Sequence, residues 1–427
     1  MPEPLNRQSA GAIVRSIAAG ETTAEAVTTA CLDRIEQREG AVKAWAFIDP
    51  DRALAQARAA DKAETRGPLH GLPIGIKDVL DTADMPTEMG SPIYSGHRPA
   101  QDAAAVAMLR AAGAVILGKT VTCEFAGMHP GATANPHDPA RTPGGSSSGS
   151  AAAVADFHVH GALGTQTGGS VLRPASFCGI VGYKPTYNII NRAGLMFAAE
   201  NLDTIGFMGR SVDDVDIVAA AILNRPPAAA SGEGTGLRVG LCRTQLWETA
   251  QPETVEAIED SAERLAAAGA QIIPIDMPST FEALASMRNR INDFERSRVL
   301  AYHWANNRGK ISAGLAKQLE TGTAMSYGDY NEAITLAAES RLQLDSVFDE
   351  VDVLLTPAVA GEAPVGLDQT GDPRFQGYWT ILHVPTLTLP THKGPNGLPV
   401  GIQLVGPRWQ DEKLLSVARW VEGELIG

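Results

Sequence analysis

Residues 144–170 leave a folding chain few options. Gly-Gly-Ser-Ser-Ser-Gly-Ser at 144–150 runs into Ala-Ala-Ala-Val-Ala at 151–155, and Gly-Thr-Gln-Thr-Gly-Gly-Ser follows at 164–170. The middle segment is small and apolar all round, so as a helix it must be packed on every side. Two Gly-rich loops, each presenting a serine, flank it. Serine is a poor nucleophile at its own pKa and needs a base. Lysine can be that base if burial or a neighbouring dipole keeps it neutral. Lys77 ends an apolar run, Gly-Leu-Pro-Ile-Gly-Ile at 71–76, where its stem would be buried. The glycines permit tight turns that bring backbone N–H groups close to a substrate oxygen, as an oxyanion hole requires. The constellation reads as acyl transfer.

Composition narrows the field. With 44% hydrophobic and 20% charged residues among 427, the chain can bury a large core. Its net charge of −14 argues against nucleic-acid or anionic-membrane binding, which needs a basic footprint. Cys31, Cys123, Cys178 and Cys242 are scattered without paired spacing, which suits free thiols in a reducing cytosol. The start lacks a basic segment leading into an apolar one, and nothing later offers the roughly 18 apolar residues of a bilayer span. The expectation is a soluble, cytoplasmic protein.

Local patterns predict alternating helices and strands. Thr22 to Glu25 reads as a capping box opening a helix that closes at about Gly40. A second helix is expected over 51–66, a strand over 71–76 delivering Lys77, and a helix then a strand over 103–112 and 115–117. Residues 150–155 form the buried helix, with Ser146 at the loop-to-helix junction, a region of positive backbone potential. Pro226 to Gly236 is a Pro/Ala/Gly/Ser-rich connector. Beyond it come a strand at 237–242, a helix at 252–268 with Val255, Ile258 and Leu265 on one face, and a strand at 271–275. Such alternation indicates an α/β sheet covered on both faces.

The two blocks and the lysine resemble the amidase signature family of Ser–Ser–Lys hydrolases. In that family a Gly-Ile-Lys-Asp run carries the base, matching Lys77. A Gly-Gly-Ser-Ser-Gly run carries the bridging serine, usually in a cis peptide, matching Ser146. A Gly-Gly-Ser run carries the nucleophile, matching Ser170, 24 residues on as the family shows. Arg141-Thr142-Pro143, Phe177-Cys178-Gly179, the run at 182–186, Leu202-Asp203-Thr204-Ile205-Gly206, the run at 354–358 and that at 397–404 continue the match. The resemblance implies one domain over 1–427, with a signature core at about 70–210 and a variable helical region at about 237–340. It implies a large, mixed, mostly parallel twisted sheet of ten or eleven strands flanked by helices. It further implies an oxyanion hole from the N–H groups of Thr167, Gly168, Gly169 and Ser170, with neither cofactor nor metal. The partner expected is a small-molecule amide, with no nucleic acid and no membrane; a homodimer is left open.

Other residues have blander readings. Lys119 also follows an apolar run but lacks the motif, so it is taken as structural or surface. Asp78 is read as binding local backbone, and Ser147, Ser148 and Ser150 as caps or supports. His158 and His160 lack a third ligand, and 144–150 is not a P-loop, since no Gly-Lys-Ser/Thr follows. The chain departs from the commonest family pattern at Gln166 and Leu172, where many members carry Asp and Arg, and its arginine is Arg173. The same arrangement occurs in a malonamidase-like branch, where that arginine holds a substrate carboxylate; a structural ion pair is the alternative. A glutaminase subunit of a tRNA-dependent amidotransferase shares the three motifs but not this departure, and a non-catalytic binding subunit is a third reading. The segments 122–133, 281–327 and 372–383 are expected to line the acyl pocket.

Overall fold

The computed structural model of the protein describes residues 3–64, 66–229 and 234–426. Among these residues eleven strands form one sheet. They are β1 (Trp45–Ile48), β2 (Pro73–Lys77), β3 (Val115–Thr120), β4 (Gly161–Gln166), β5 (Val181–Lys184) and β6 (Thr204–Gly209). The rest are β7 (Arg238–Leu241), β8 (Gln271–Pro274), β9 (Val353–Pro357), β10 (Thr386–Lys393) and β11 (Pro399–Val405). Their order is β1-β3-β2-β4-β6-β5-β10-β11-β9-β7-β8.

The sheet is mixed, but not mostly parallel as expected. Six of its ten ladders are antiparallel and four are parallel. Parallel pairing is confined to β3-β2-β4 and β9-β7-β8. The centre is antiparallel: β10 and β11 are joined by five residues, too few for a parallel crossover.

Side chains alternate across the strands, and both faces are buried. On β4, Ala162 packs with the helices Ser148–Ala155 and Leu172–Cys178. Its neighbour Leu163 packs on the other side, in the cluster that holds the helices Val212–Leu223, Pro252–Ala267 and Asp411–Leu425. Met208 and Phe207 of β6 divide in the same way. A third cluster joins the helices Leu284–Val299, Tyr327–Val347 and Arg374–Ile381 beside β9.

Several boundaries shift for identifiable reasons. Thr23, not Thr22, caps the first predicted helix, and the amides of Ala24 and Glu25 donate to Asp61, so no capping box forms. That helix runs past Gly40 to Val42, and Lys43 ends it in the left-handed region. The next helix stops at Lys62, because Leu69 and Gly71 must reach the carbonyls of Ala112 and Gly113. In the helix Pro252–Ala267, Val255 is only half-buried, and Thr254, Ala257 and Ser261 join Ile258 and Leu265 on the inner face. Residues 230–233 of the connector lie outside the described residues. Among the described residues, no helix is long and apolar enough to cross a membrane.

The helix Ser148–Ala155 is packed as its composition predicts, with seven of its eight residues buried. A Cβ at Gly149 would stand 2.2 Å from the Ala44 carbonyl oxygen and 2.3 Å from the Val121 amide. Backbone cannot retreat as a flexible side chain can. Gly149→Ala should therefore cost about 1–3 kcal/mol of stability, the usual penalty of overpacking. Urea unfolding measures it, and an unchanged midpoint would refute this close approach.

Candidate active site

β2 and β4 are parallel neighbours, so their C-terminal ends open at the same edge of the sheet. Lys77 ends β2, a strand buried at every position. Its Nζ lies 2.8 Å from Ser146 Oγ, 2.7 Å from Thr165 Oγ1 and 3.4 Å from the Thr165 carbonyl. All these partners are neutral. Burial pulls the Lys77 pKa down to about 7, opposed by Cys123 and Asp203 and reinforced by the guanidiniums of Arg296 and Arg173. Lys119 is equally buried but sits 3.1 Å from Asp78 Oδ1, which makes it structural. Asp78 spends its other oxygen on the Glu88 amide and does not orient Lys77.

The first Gly-rich loop presents Ser146 to Lys77 through a cis Gly145–Ser146 peptide. Gly144 adopts φ 84°, and a Cβ there would meet the Pro174 α-carbon at 2.7 Å. The competing serines are occupied elsewhere. Ser147 Oγ bonds both the amide and the carbonyl of Thr165 at 3.2 Å. Ser150 Oγ bonds the Leu163 carbonyl and Thr120 Oγ1. Ser148 reaches the Val121 carbonyl at 3.4 Å.

The second loop carries Ser170. Its backbone is gripped from outside by side chains. Gln166 Oε1 accepts from the amides of Val171 and Leu172. Gln166 Nε2 donates to Thr380 Oγ1, which donates to the Gly168 carbonyl at 2.6 Å. Thr167 Oγ1 donates to Asp203, whose second oxygen accepts from Ala198 and Ala199. Among the described residues, the N–H groups of Thr167, Gly168, Gly169 and Ser170 find no acceptor. Four consecutive unpaired donors beside a serine form a ready cradle for a negatively charged oxygen. The Ser147 amide reaches the Ser170 carbonyl at 3.4 Å, which ties the loops together, while the hydroxyls of Ser146 and Ser170 are not bonded to each other.

Ser170 opens into a cavity of about 50 Å³. All three segments expected to line the acyl pocket contribute: Met128, Arg288 and Pro373 each represent one. An outer cavity of about 500 Å³ adjoins it through Met128 and Gln318. Arg173 is fully buried. Its Nε donates to the Thr370 carbonyl and its Nη2 to the Gly145 carbonyl, each at 2.7 Å, while Nη1 has no partner. The ion-pair alternative is not what forms, since neutral oxygens hold this side chain. Burial lowers its pKa to about 10, so it stays charged at neutral pH.

Some of the site was not anticipated. Thr165, Gln166 as a loop clamp, Asp203, Arg288 and Arg296 emerge only in three dimensions. One signal was available: Arg288, Asn292 and Arg296 recur every four residues on the helix Leu284–Val299, which puts them on one face. His158 and His160 bond Trp45 and the Leu5 carbonyl, and no metal-binding cluster occurs among the described residues.

Known proteins resemble this chain over nearly all of its length. A family model described as Amidase matches residues 26–415. A glutamyl-tRNA(Gln) amidotransferase subunit from Chloroflexus aggregans is 36% identical, across 94% of this chain and 93% of its own. A crystal structure described as an amidase superposes with a TM-score of 0.90 at 30% identity, covering 98% of this chain and all of that one. The native peptide amidase from Stenotrophomonas maltophilia gives a TM-score of 0.86 at 29% identity, over 99% of this chain and 98% of its own.

A buried lysine with a pKa near 7 makes a pH prediction. Modification of Ser170 by a neutral fluorophosphonate should accelerate as pH rises through about 7, because only the neutral amine accepts a proton. Arg173→Ala removes a repelling positive charge and should move that midpoint upward. A rate flat between pH 6 and 9 would exclude Lys77 as the base.

Proposed function

This chain belongs to the amidase family, and we propose that it hydrolyses the C–N bond of a small amide bearing a free carboxylate, through an acyl-enzyme on Ser170. The observation that carries the reading is the buried, neutral-leaning Lys77 bonded to Ser146 beneath a loop of unpaired N–H groups. In the proposed relay, Lys77 takes a proton from Ser146 as Ser146 takes the proton of Ser170. Ser170 Oγ attacks the amide carbonyl, and the N–H groups of residues 167–170 stabilise the oxyanion. Ser146 then protonates the leaving nitrogen as the C–N bond breaks and recovers its own proton from Lys77. Water, deprotonated by the same relay, cleaves the ester and restores Ser170. The free Nη1 of Arg173, lining the cavity at Ser170, suits a substrate carboxylate.

A second reading is a glutaminase subunit that releases ammonia for a tRNA-dependent amidotransferase. The full-length likeness to the Chloroflexus amidotransferase subunit favours it. Gln166 and the displaced Arg173 depart from the usual pattern of such subunits. This reading calls for partner subunits, whereas the first calls for none.

Turnover of a panel of small amides by the isolated chain separates the two. Activity on short acidic amides without added protein supports the first. Ammonia release from glutamine that appears only with co-purifying partners supports the second. Under either, Ser170→Ala should lower turnover by at least ~10³-fold, as loss of an acting nucleophile does, with a melting temperature close to wild type. A trapped acyl group on any other residue would sink the assignment. Arg173→Ala should cost about ten- to a hundredfold in kcat/KM on acidic amides, from loss of a charge-assisted pair. Equal loss on neutral amides would remove the carboxylate from this proposal.

A further inference from the structure

The chain carries an excess of acid, and most of its arginines are paired with it. The guanidiniums at Ser170 are not. Arg173, Arg288 and Arg296 all line the small cavity, and among the described residues none has a carboxylate within 4.0 Å. Arg296 is bonded by Nη1 to the Phe125 carbonyl and leaves its buried Nε without a partner. Arg288 gives one bond, from Nη2 to Asn289 Oδ1 at 2.6 Å. Leaving the buried donors of Arg173 and Arg296 uncompensated is costly, and a bound anion would relieve that cost.

Arg288 occupies a particular position. A Cβ on Gly168 would stand 2.6 Å from its Nη1, and one on Gly377 would stand 2.9 Å from its Nε. Its guanidinium is therefore laid across the loop that cradles the oxyanion. Gly377 lies within the helix Arg374–Ile381, where glycine is unfavourable relative to alanine. The space it leaves is filled by Arg288.

We infer that Arg288 is a specificity-determining residue that binds the substrate's free carboxylate together with Arg173 and confines it to a short acyl chain. This rests on the amide-hydrolase reading above. The size limit follows from the cavity. The space beside Ser170, walled by Arg173 and Arg288, is about 50 Å³ against about 500 Å³ in the outer cavity. The larger outer cavity is left for the leaving group.

The test compares kcat/KM for monoamides of straight-chain dicarboxylic acids, from two to five carbons, each beside its neutral diamide. Wild type should prefer the acidic member, most strongly for the shorter chains. Arg288→Met should lower the acid-over-neutral ratio at least tenfold, chiefly through KM, and Arg288→Lys should restore part of it. Gly377→Ala should lower the ratio in the same direction by displacing the guanidinium. An unchanged ratio in both Arg288→Met and Gly377→Ala, or preference for the longest chain, would overturn the inference. Ser170 labelling by a neutral fluorophosphonate is followed alongside. Wild type unlabelled at Ser170 defeats the hydrolase reading itself, whereas normal labelling with an unchanged ratio defeats only the role of Arg288. If Arg288→Met does not fold, protection of wild-type Ser170 from the label by short dicarboxylates decides: protection by them but not by diamides supports the inference, and its absence overturns it.

Discussion

Removing an ammonium group from water without an opposite charge costs several kcal/mol, and the protein avoids most of that by letting the amine lose its proton. Lys77 is held in this condition by its surroundings. β2 is buried on both faces, the helix Ser148–Ala155 seals the space above it, and only hydroxyls and a carbonyl face its Nζ. Everything else in the candidate site follows from where that amine is fixed. Ser146 must reach it, so the first loop must turn sharply at Gly144. Thr165 must flank it, so β4 must run parallel to β2. The loop after β4 then has to bring Ser170 back over the same edge.

Among the described residues three lysines are fully buried, and their partners separate their roles. Lys119 is paired with Asp78, so its charge is compensated. Lys184 is also pushed down to about 7 by burial, but its Nζ faces the carbonyls of Pro185 and Val384, which can only accept. Such a group can hold two segments together and has no proton to collect. Lys77 alone faces a serine hydroxyl. A depressed pKa therefore marks burial, and the adjacent donor is what gives it chemical meaning.

The second loop shows a similar division of labour. Its amides are free because side chains from other segments take over the structural work. Gln166 caps the following helix, Thr380 holds the Gly168 carbonyl, and Asp203 holds Thr167. Gln166 does this without a charge, which fits a loop bordered by unpaired guanidiniums that would otherwise attract a carboxylate here. Arg173, on the helix that follows the second loop, ties it to Gly145 of the first loop and to Thr370 while keeping one nitrogen free.

The sequence alone determined the local chemistry. Gly/Ser spacing, an apolar run ending in lysine and an all-small helix pointed to serine–lysine chemistry, and resemblance to the family's motifs singled out Lys77, Ser146 and Ser170 as candidates, because these signals lie close along the chain. It also conveyed the alternation of helices and strands, since a period of 3.6 or 2 is visible in a short window. It misjudged the pairing sense of the central strands and the ends of two helices, which depend on partners such as Asp61 and Ala112 that no local pattern reveals. Tertiary structure decided what surrounds Ser170. Thr380 and Arg288 lie more than a hundred residues from the loop they serve, and only packing brings them there. Burial decided the rest: charge, pKa and unpaired donors are properties of an environment, which forms only when distant segments exclude water together.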